Sequence, residues 1–179
     1  MTAKECITTR RSIRSFKEEP VSDSVIESIV ATASMAPSWK NTQIVRYIAV
    51  SGETKEKLAA CTKSFSGNGA IMSNAPTVVA IVIKKGRCGF ERDGSYTTPR
   101  KDSWQMFDAG VAAQTFCLAA WEQGIGSVIM GIFDIEEAKK VLEITDEYDL
   151  ISLIPIGYPN VSPEAPKRKE VSELLSFKK

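Results

Sequence analysis

No histidine occurs among the 179 residues. That absence removes a Ser-His-Asp triad, a Cys-His pair, histidine-ligated metals and the usual general base near neutral pH. An enzyme built this way draws its difficult chemistry from a bound cofactor, so no catalytic side chain is assigned. Cysteine is sparse as well. Cys6, Cys61, Cys88 and Cys117 form no C-x-x-C pair, which argues against a zinc knuckle, a redox dithiol or a disulfide-stapled scaffold and for a reducing compartment. No apolar run approaches the ~18 residues of a membrane span, and no basic-plus-apolar signal precedes the first helical pattern. The expected location is cytoplasmic. An excess of either charge is missing too: 23 Lys and Arg against 22 Asp and Glu leave a formal net charge of +1. Whole-surface attraction to nucleic acid or anionic lipid is therefore not indicated.

What is present is a core. With 43% apolar residues the chain can bury one well-packed domain, and the reading is a single unit over 1–179. Residues 2–11 read as a short helix. "SDSVIESIVATASMA" (22–36) places Val25, Ile26, Ile29, Val30 and Ala33 at helical spacing, with Ser24 and Glu27 as an expected capping box. "IVRYIAV" (44–50) and "TVVAIVI" (77–83) are strands, the second so apolar that both its faces must be covered. A helix is expected at about 53–63 between them. Residues 84–102 lose all pattern and read as an irregular loop or lid, in which Cys88 and Tyr96 either line a pocket or are ordinary loop residues. A long helix over 103–123 is apolar around most of its circumference, as a central or interface helix would be, and Asp108 within it reads as an ion pair or cap rather than a proton donor. Strands at 124–133 and 148–157 enclose a helix at 134–142, and 158–179 is a proline-containing arm that needs something to lie across.

Three polar constellations stand out. "TTRRSIRSF" (8–16) carries Arg10, Arg11 and Arg14 with Ser12, and guanidinium forks suit phosphate oxygens. Three arginines at a helix C-terminus would also complement its dipole or form surface ion pairs. "PKRK" (166–169) is a second basic knot that either stays solvated or converges with the first on one anion. "PSWKNTQ" (37–43) offers a hydroxyl, an aromatic face and side-chain amides, which can donate and accept along the edge of a heteroaromatic ring or simply form a polar loop. The Walker pattern is absent, and "GIGSVIMG" is followed by strand rather than helix, so a phosphate would be held by side chains.

The chain resembles the FMN-dependent nitroreductase family along nearly its whole length. The resemblance rests on "RRSIRSF", "APSWKNTQ", "DAGVAAQTFCLAAWEQGIGSV" and "IPIGYPNVSPEAPKRK", in that order. It implies an α+β fold: a mixed, mostly antiparallel sheet flanked by helices in a domain-intertwined homodimer, with FMN at the subunit interface. Carried over by position, Arg10 and Ser12 face the phosphate and ribityl oxygens, Arg14 the N1/O2 edge of the ring, and Arg11 lies beside them. Arg168 and Lys169, with Lys167 one residue out of register, match a basic pair that closes on the same phosphate. Pro37, Ser38, Trp39, Asn41 and Gln43 match a loop reaching the flavin from the partner chain. Asn68 matches a ribityl-binding asparagine, and Met130 and Gly131 a segment whose backbone N–H groups approach N5 and O4.

The implied activity is ping-pong hydride transfer from NADH or NADPH through flavin N5 to a small acceptor such as a nitroaromatic or quinone. The partners implied are a second copy and small molecules, with no nucleic acid or membrane. Other chemistry on the same fold, such as dehalogenation or enone reduction, and a low-turnover flavin-binding or redox-sensing role, remain open alternatives. The chain departs from the family pattern after Gln43, where Ile44-Val45 replaces the Pro-Trp of many members.

Overall fold

The computed structural model describes residues 1–62 and 66–179. Its helices are α1 (Ala3–Thr9), α2 (Asp23–Ala33), α3 (Gly52–Ala60), α4 (Ser66–Asn74), α5 (Ser103–Glu122), α6 (Ile135–Val141) and α7 (Val171–Leu174). Its strands are β1 (Val45–Val50), β2 (Thr77–Lys84), β3 (Gly126–Ser127) and β4 (Tyr148–Gly157), in the order β1-β2-β4-β3 with every neighbouring pair antiparallel. A parallel bridge between Ser12 and Ser127 adds the N-terminal strip to the β3 edge.

The apolar run of β2 is buried over Thr77–Ile83, so both faces of the sheet centre are covered as its composition requires. One side of the sheet packs α2 and α5 around Ile29, Phe116, Ile81 and Ile154; the other packs α3 and α6 around Leu58, Ala138, Val82 and Leu153. On α2, Ile29 and Ala33 are buried as their spacing predicts. The cap is Ser22 rather than Ser24: its side chain accepts the Val25 N–H, so the helix starts two residues earlier than the capping-box reading implies. Asp134 caps α6 through the Glu137 N–H.

Two elements differ from their sequence expectation. The strand expected over 124–133 shrinks to Gly126–Ser127 plus an isolated bridge at Met130. Opposite the gap stands Pro155, which has no N–H to continue the ladder and offers only its carbonyl to Val128 N–H at 3.4 Å. Helix α4 was not expected at all, because two glycines break its pattern. Gly69 is there for space: a Cβ would lie 2.7 Å from Thr62 Oγ1.

The inward face of α5 is left open by a sequence that is apolar around most of the helix. The helix turns its small face inward, burying Ala109, Ala112, Ala113, Ala119 and Ala120 with Phe116, and leaves Met106 and Phe107 exposed at 53% and 61%. Small side chains let the helix sit close against β1 and β2, which puts its larger residues outside. Among the described residues no helix is long and apolar enough to cross a membrane.

Candidate functional site

The N-terminal strip is positioned by two buried anchors. Ile13 and Phe16 are buried and Ile13 N–H donates to Ser127 O at 3.0 Å, while Ser12 is half-buried and Arg14 exposed. Arg10 closes α1 with its own N–H on Cys6 O. Arg11 Nη1 donates to the Thr8 and Arg10 carbonyls, and Arg14 Nη1 reaches Ser12 O at 3.5 Å. Among the described residues none of these three guanidinium groups pairs with a carboxylate, and the Arg10 head makes no hydrogen bond. The ion-pair explanation of the cluster therefore fails, and uncompensated positive charge stands beside Ser12.

The strip depends on Gly126, since a Cβ there would lie 2.7 Å from Ile13 Cγ1 and 3.0 Å from Pro159 Cγ. Gly126→Ala is expected to cost about 1–3 kcal/mol by overpacking. For a chain of this size that lowers the melting temperature by about 3–10 °C, measured by thermal unfolding.

Asn68 Nδ2 donates to Ile132 O at 3.1 Å, tying α4 to the segment holding Met130 and Gly131. One expectation is corrected here. The Met130 N–H is spent on Leu153 O at 2.8 Å and its side chain is buried, so it has no donor to offer a ligand; the exposed Gly131 does. Arg168 and Lys169 stand exposed on the arm, as does Lys167. The root of the arm is held beside the strip, with Asn160 N–H on Ser15 O at 3.0 Å and Lys17 N–H on Tyr158 O at 2.9 Å. The root of the arm, not its basic knot, is thus tethered to the strip.

The loop 37–43 is built differently. Ser38 Oγ accepts the Gln43 N–H at 3.1 Å, and Gln43 Nε2 donates to Asn41 Oδ1 at 3.1 Å. Lys40, Asn41 and Gln43 all hold positive φ, at 44°, 55° and 47°. Three non-glycine residues in the left-handed region within four positions form a costly conformation that surrounding contacts must enforce. Trp39 supplies part of that enforcement, its ring 4.7 Å from that of Trp104, so it is a foundation of the loop as much as a presenting group. Pro37, Ser38 and Gln43 line an apolar cavity of about 650 Å³ between α2 and the free edge of β1, with Asp108 at its wall.

Residues 84–102 are a folded cover. A bridge joins Phe90 to Tyr96, Trp104 Nε1 donates to Thr98 Oγ1 at 2.9 Å, and Lys40 Nζ pairs with Glu91 at 2.9 Å. Cys88 is fully buried; burial, with the Asp108 carboxylate beside it, pushes its thiol up to about 12. It serves packing rather than reactivity.

Loop and strip lie at diagonally opposite corners of the sheet. Val45 is level with Ile83 and Asp149, whereas Ser127 is level with Ile156. The length of β4 from Asp149 to Ile156, at about 3.3 Å per residue, and three strand spacings of about 4.8 Å separate them by on the order of 25 Å. Helix α5 joins the corners. Asp108, near its start, bonds the Trp39 N–H, while Leu118 O near its end accepts from Cys6 Sγ and Trp121 donates to Thr9. Sequence reasoning brought these segments together only through a partner chain, and it missed Asp108 and Ser127 as their supports. No local pattern announces a bond between residues far apart in the chain.

An α+β protein with an antiparallel sheet, a long diagonal helix and a split polar site is the class defined by this geometry. The chain belongs to the nitroreductase family, whose model matches residues 7–67 and 63–158. It is 26% identical over 167 residues to the NADPH-flavin oxidoreductase of Vibrio harveyi, covering 92% of this chain and 68% of that one. Among solved structures, a nitroreductase family protein from Streptococcus pneumoniae TIGR4 superimposes with a TM-score of 0.87 at 24% identity, covering 99% of this chain and 100% of the other. A Desulfovibrio desulfuricans protein in complex with FMN gives a TM-score of 0.79 at 25% identity, covering 98% and 96%.

Proposed function

We propose that the chain, a single unit over 1–179, is an FMN-dependent oxidoreductase that works as a homodimer and oxidises NADH or NADPH. The observation that carries this reading is the split site: unpaired guanidinium charge at one corner of the sheet and a strained amide loop at the opposite one. The two serve one cofactor only across two copies. Antiparallel pairing of α5 with its two-fold mate about the exposed Gly110 and Gln114 would set the Asp108 level of one copy beside the Phe116 level of the other, within a turn of Leu118. That pairing also covers Met106 and Phe107, and it brings one copy's loop to its partner's strip.

The residues present fit FMN. Arg10 and Ser12 supply charge and a hydroxyl for a phosphate without a competing carboxylate, and Arg168 and Lys169 can close on it from the tethered arm. Arg14 lies in the strip where a cation would stabilise negative charge at the N1/O2 edge of the ring. Gly131 N–H donates to the ring edge, and Asn41, Gln43 and Ser38 orient the ring from the second copy. When bound, FMN supplies the chemistry, accepting hydride from NAD(P)H and passing it to an acceptor such as a nitroaromatic or quinone in alternation. Arg14 and the Gly131 N–H do their work with fixed charge and backbone, so a chain without histidine suffices.

The FMN complex of the Desulfovibrio relative and the name of the Vibrio relative support this reading. The test is anaerobic mixing of flavin-loaded protein with NADPH or NADH. The flavin band is expected to bleach with at least one donor and to recover on adding a nitroaromatic or quinone. Tight FMN with no bleaching by either donor would overturn the redox mechanism and favour the low-turnover flavin-binding role.

A further inference from the structure

We infer that Asp108 is a positioning residue, the anchor that holds the loop 37–43 in the conformation it presents to the flavin. The inference rests on the proposed FMN site. Asp108 is 4% exposed on α5, and both its carboxylate oxygens face the Trp39 N–H, at 3.1 and 3.0 Å. Among the described residues no lysine or arginine pairs with it.

A buried carboxylate without a cation is costly unless hydrogen bonds satisfy it. Here both oxygens converge on the first N–H of the short 3-10 helix Trp39–Asn41. The neighbouring Ser38 leaves that turn uncapped by its own side chain. Asp108 therefore does from another element what an N-cap does locally.

The bond falls where the backbone most needs it. Directly after Trp39 come Lys40 and Asn41 in the left-handed region, and Gln43 follows. Left to itself the segment would relax toward ordinary φ, and Asn41 and Gln43 would point elsewhere. Asp108 fixes the start of the turn, the Trp39–Trp104 ring contact fixes its side, and the Ser38–Gln43 bond fixes its end. The Lys40–Glu91 ion pair ties the cover 84–102 to the same turn.

The experiment is FMN titration of flavin-free protein, followed by flavin fluorescence, for wild type, Asp108→Ala, Asp108→Asn and Asp108→Leu, with thermal unfolding of each without flavin. Asp108→Ala is expected to raise the FMN Kd by about 10- to 100-fold, the equivalent of one charge-assisted hydrogen bond. Asp108→Asn keeps an acceptor for Trp39 N–H and should return the Kd to within about fivefold of wild type. Asp108→Leu keeps side-chain bulk without an acceptor and should bind FMN as weakly as the alanine variant, which preserves the measurement if that variant fails to fold. An unchanged Kd in the folded acceptor-less variants, with only a lower melting temperature, would overturn the positioning role and leave a structural one. Failure of wild type to bind FMN would instead overturn the cofactor reading itself.

Discussion

Removing residues 161–179 is expected to abolish FMN binding and to leave a folded monomer. Among the described residues Asn160 is the last of the tail bonded to the body, and the residues beyond it are exposed throughout. Val171, Leu174 and Phe177 are 70%, 69% and 79% exposed, an apolar series that its own chain leaves uncovered. A four-residue helix, α7, is far too short to persist in water by itself. At about 3.3 Å per residue the tail can reach well across a second copy, where the cavity between α2 and the open edge of β1 offers apolar surface. Truncation removes that cover and also Arg168 and Lys169. Light scattering after size exclusion should report a monomer, and flavin titration no saturable binding, while the body still unfolds cooperatively. A truncated dimer that retains FMN would show that the arm has no part in either.

Arg10→Ala is expected to weaken FMN binding by at least about 100-fold. A charge-assisted hydrogen bond contributes about 1.5–3 kcal/mol, and a guanidinium fork on a phosphate makes two. At a flavin concentration 100 times the wild-type Kd, the native protein gains about 2.7 kcal/mol from ligand linkage. The variant forfeits most of this, so its melting temperature with flavin should fall by about 5–10 °C. Without flavin the two proteins should melt together, because the Arg10 guanidinium makes no hydrogen bond to lose. Equal flavin content and equal melting temperatures with flavin would remove Arg10 from the phosphate site.

The readable parts of the fold were those where a local pattern has one physical solution. A run like Thr77–Ile83 can only be a strand covered on both faces, and the amphipathic spacing of Ile29 and Ala33 fixes the inward side of α2. The strand expected over 124–133 shortened because of Pro155, which pairs across from it but lies almost thirty residues later than Gly126 in sequence. In α5 the choice of inner face was decided by fit, since its alanines pack closer to the sheet than Met106 or Phe107 could. α4 was hidden because Gly69 serves a contact with Thr62 rather than the helix.

The site divides in the same way. Its residue types were legible at Arg10, Ser12, Asn41 and Gln43, since each belongs to a compact motif. Their supports were not. Asp108 showed only as an acid in an apolar helix, which fits its role as a cap, but nothing local pointed to Trp39 as the group it caps. Met130 carried the motif while its N–H had already been taken by Leu153.

That one FMN site is shared by two copies is the claim on which the rest depends, and subunit complementation tests it most directly. Chains carrying Arg10→Ala and chains carrying Asn41→Ala with Gln43→Ala are coexpressed under two different tags, and the doubly tagged heterodimer is isolated. Each homodimer should bind flavin poorly. In the heterodimer both lesions fall in one site and the other is intact, so about one FMN should bind with wild-type affinity per dimer. If strip and loop acted within one chain, each site would carry a lesion. A heterodimer with no wild-type-affinity FMN would then contradict the account.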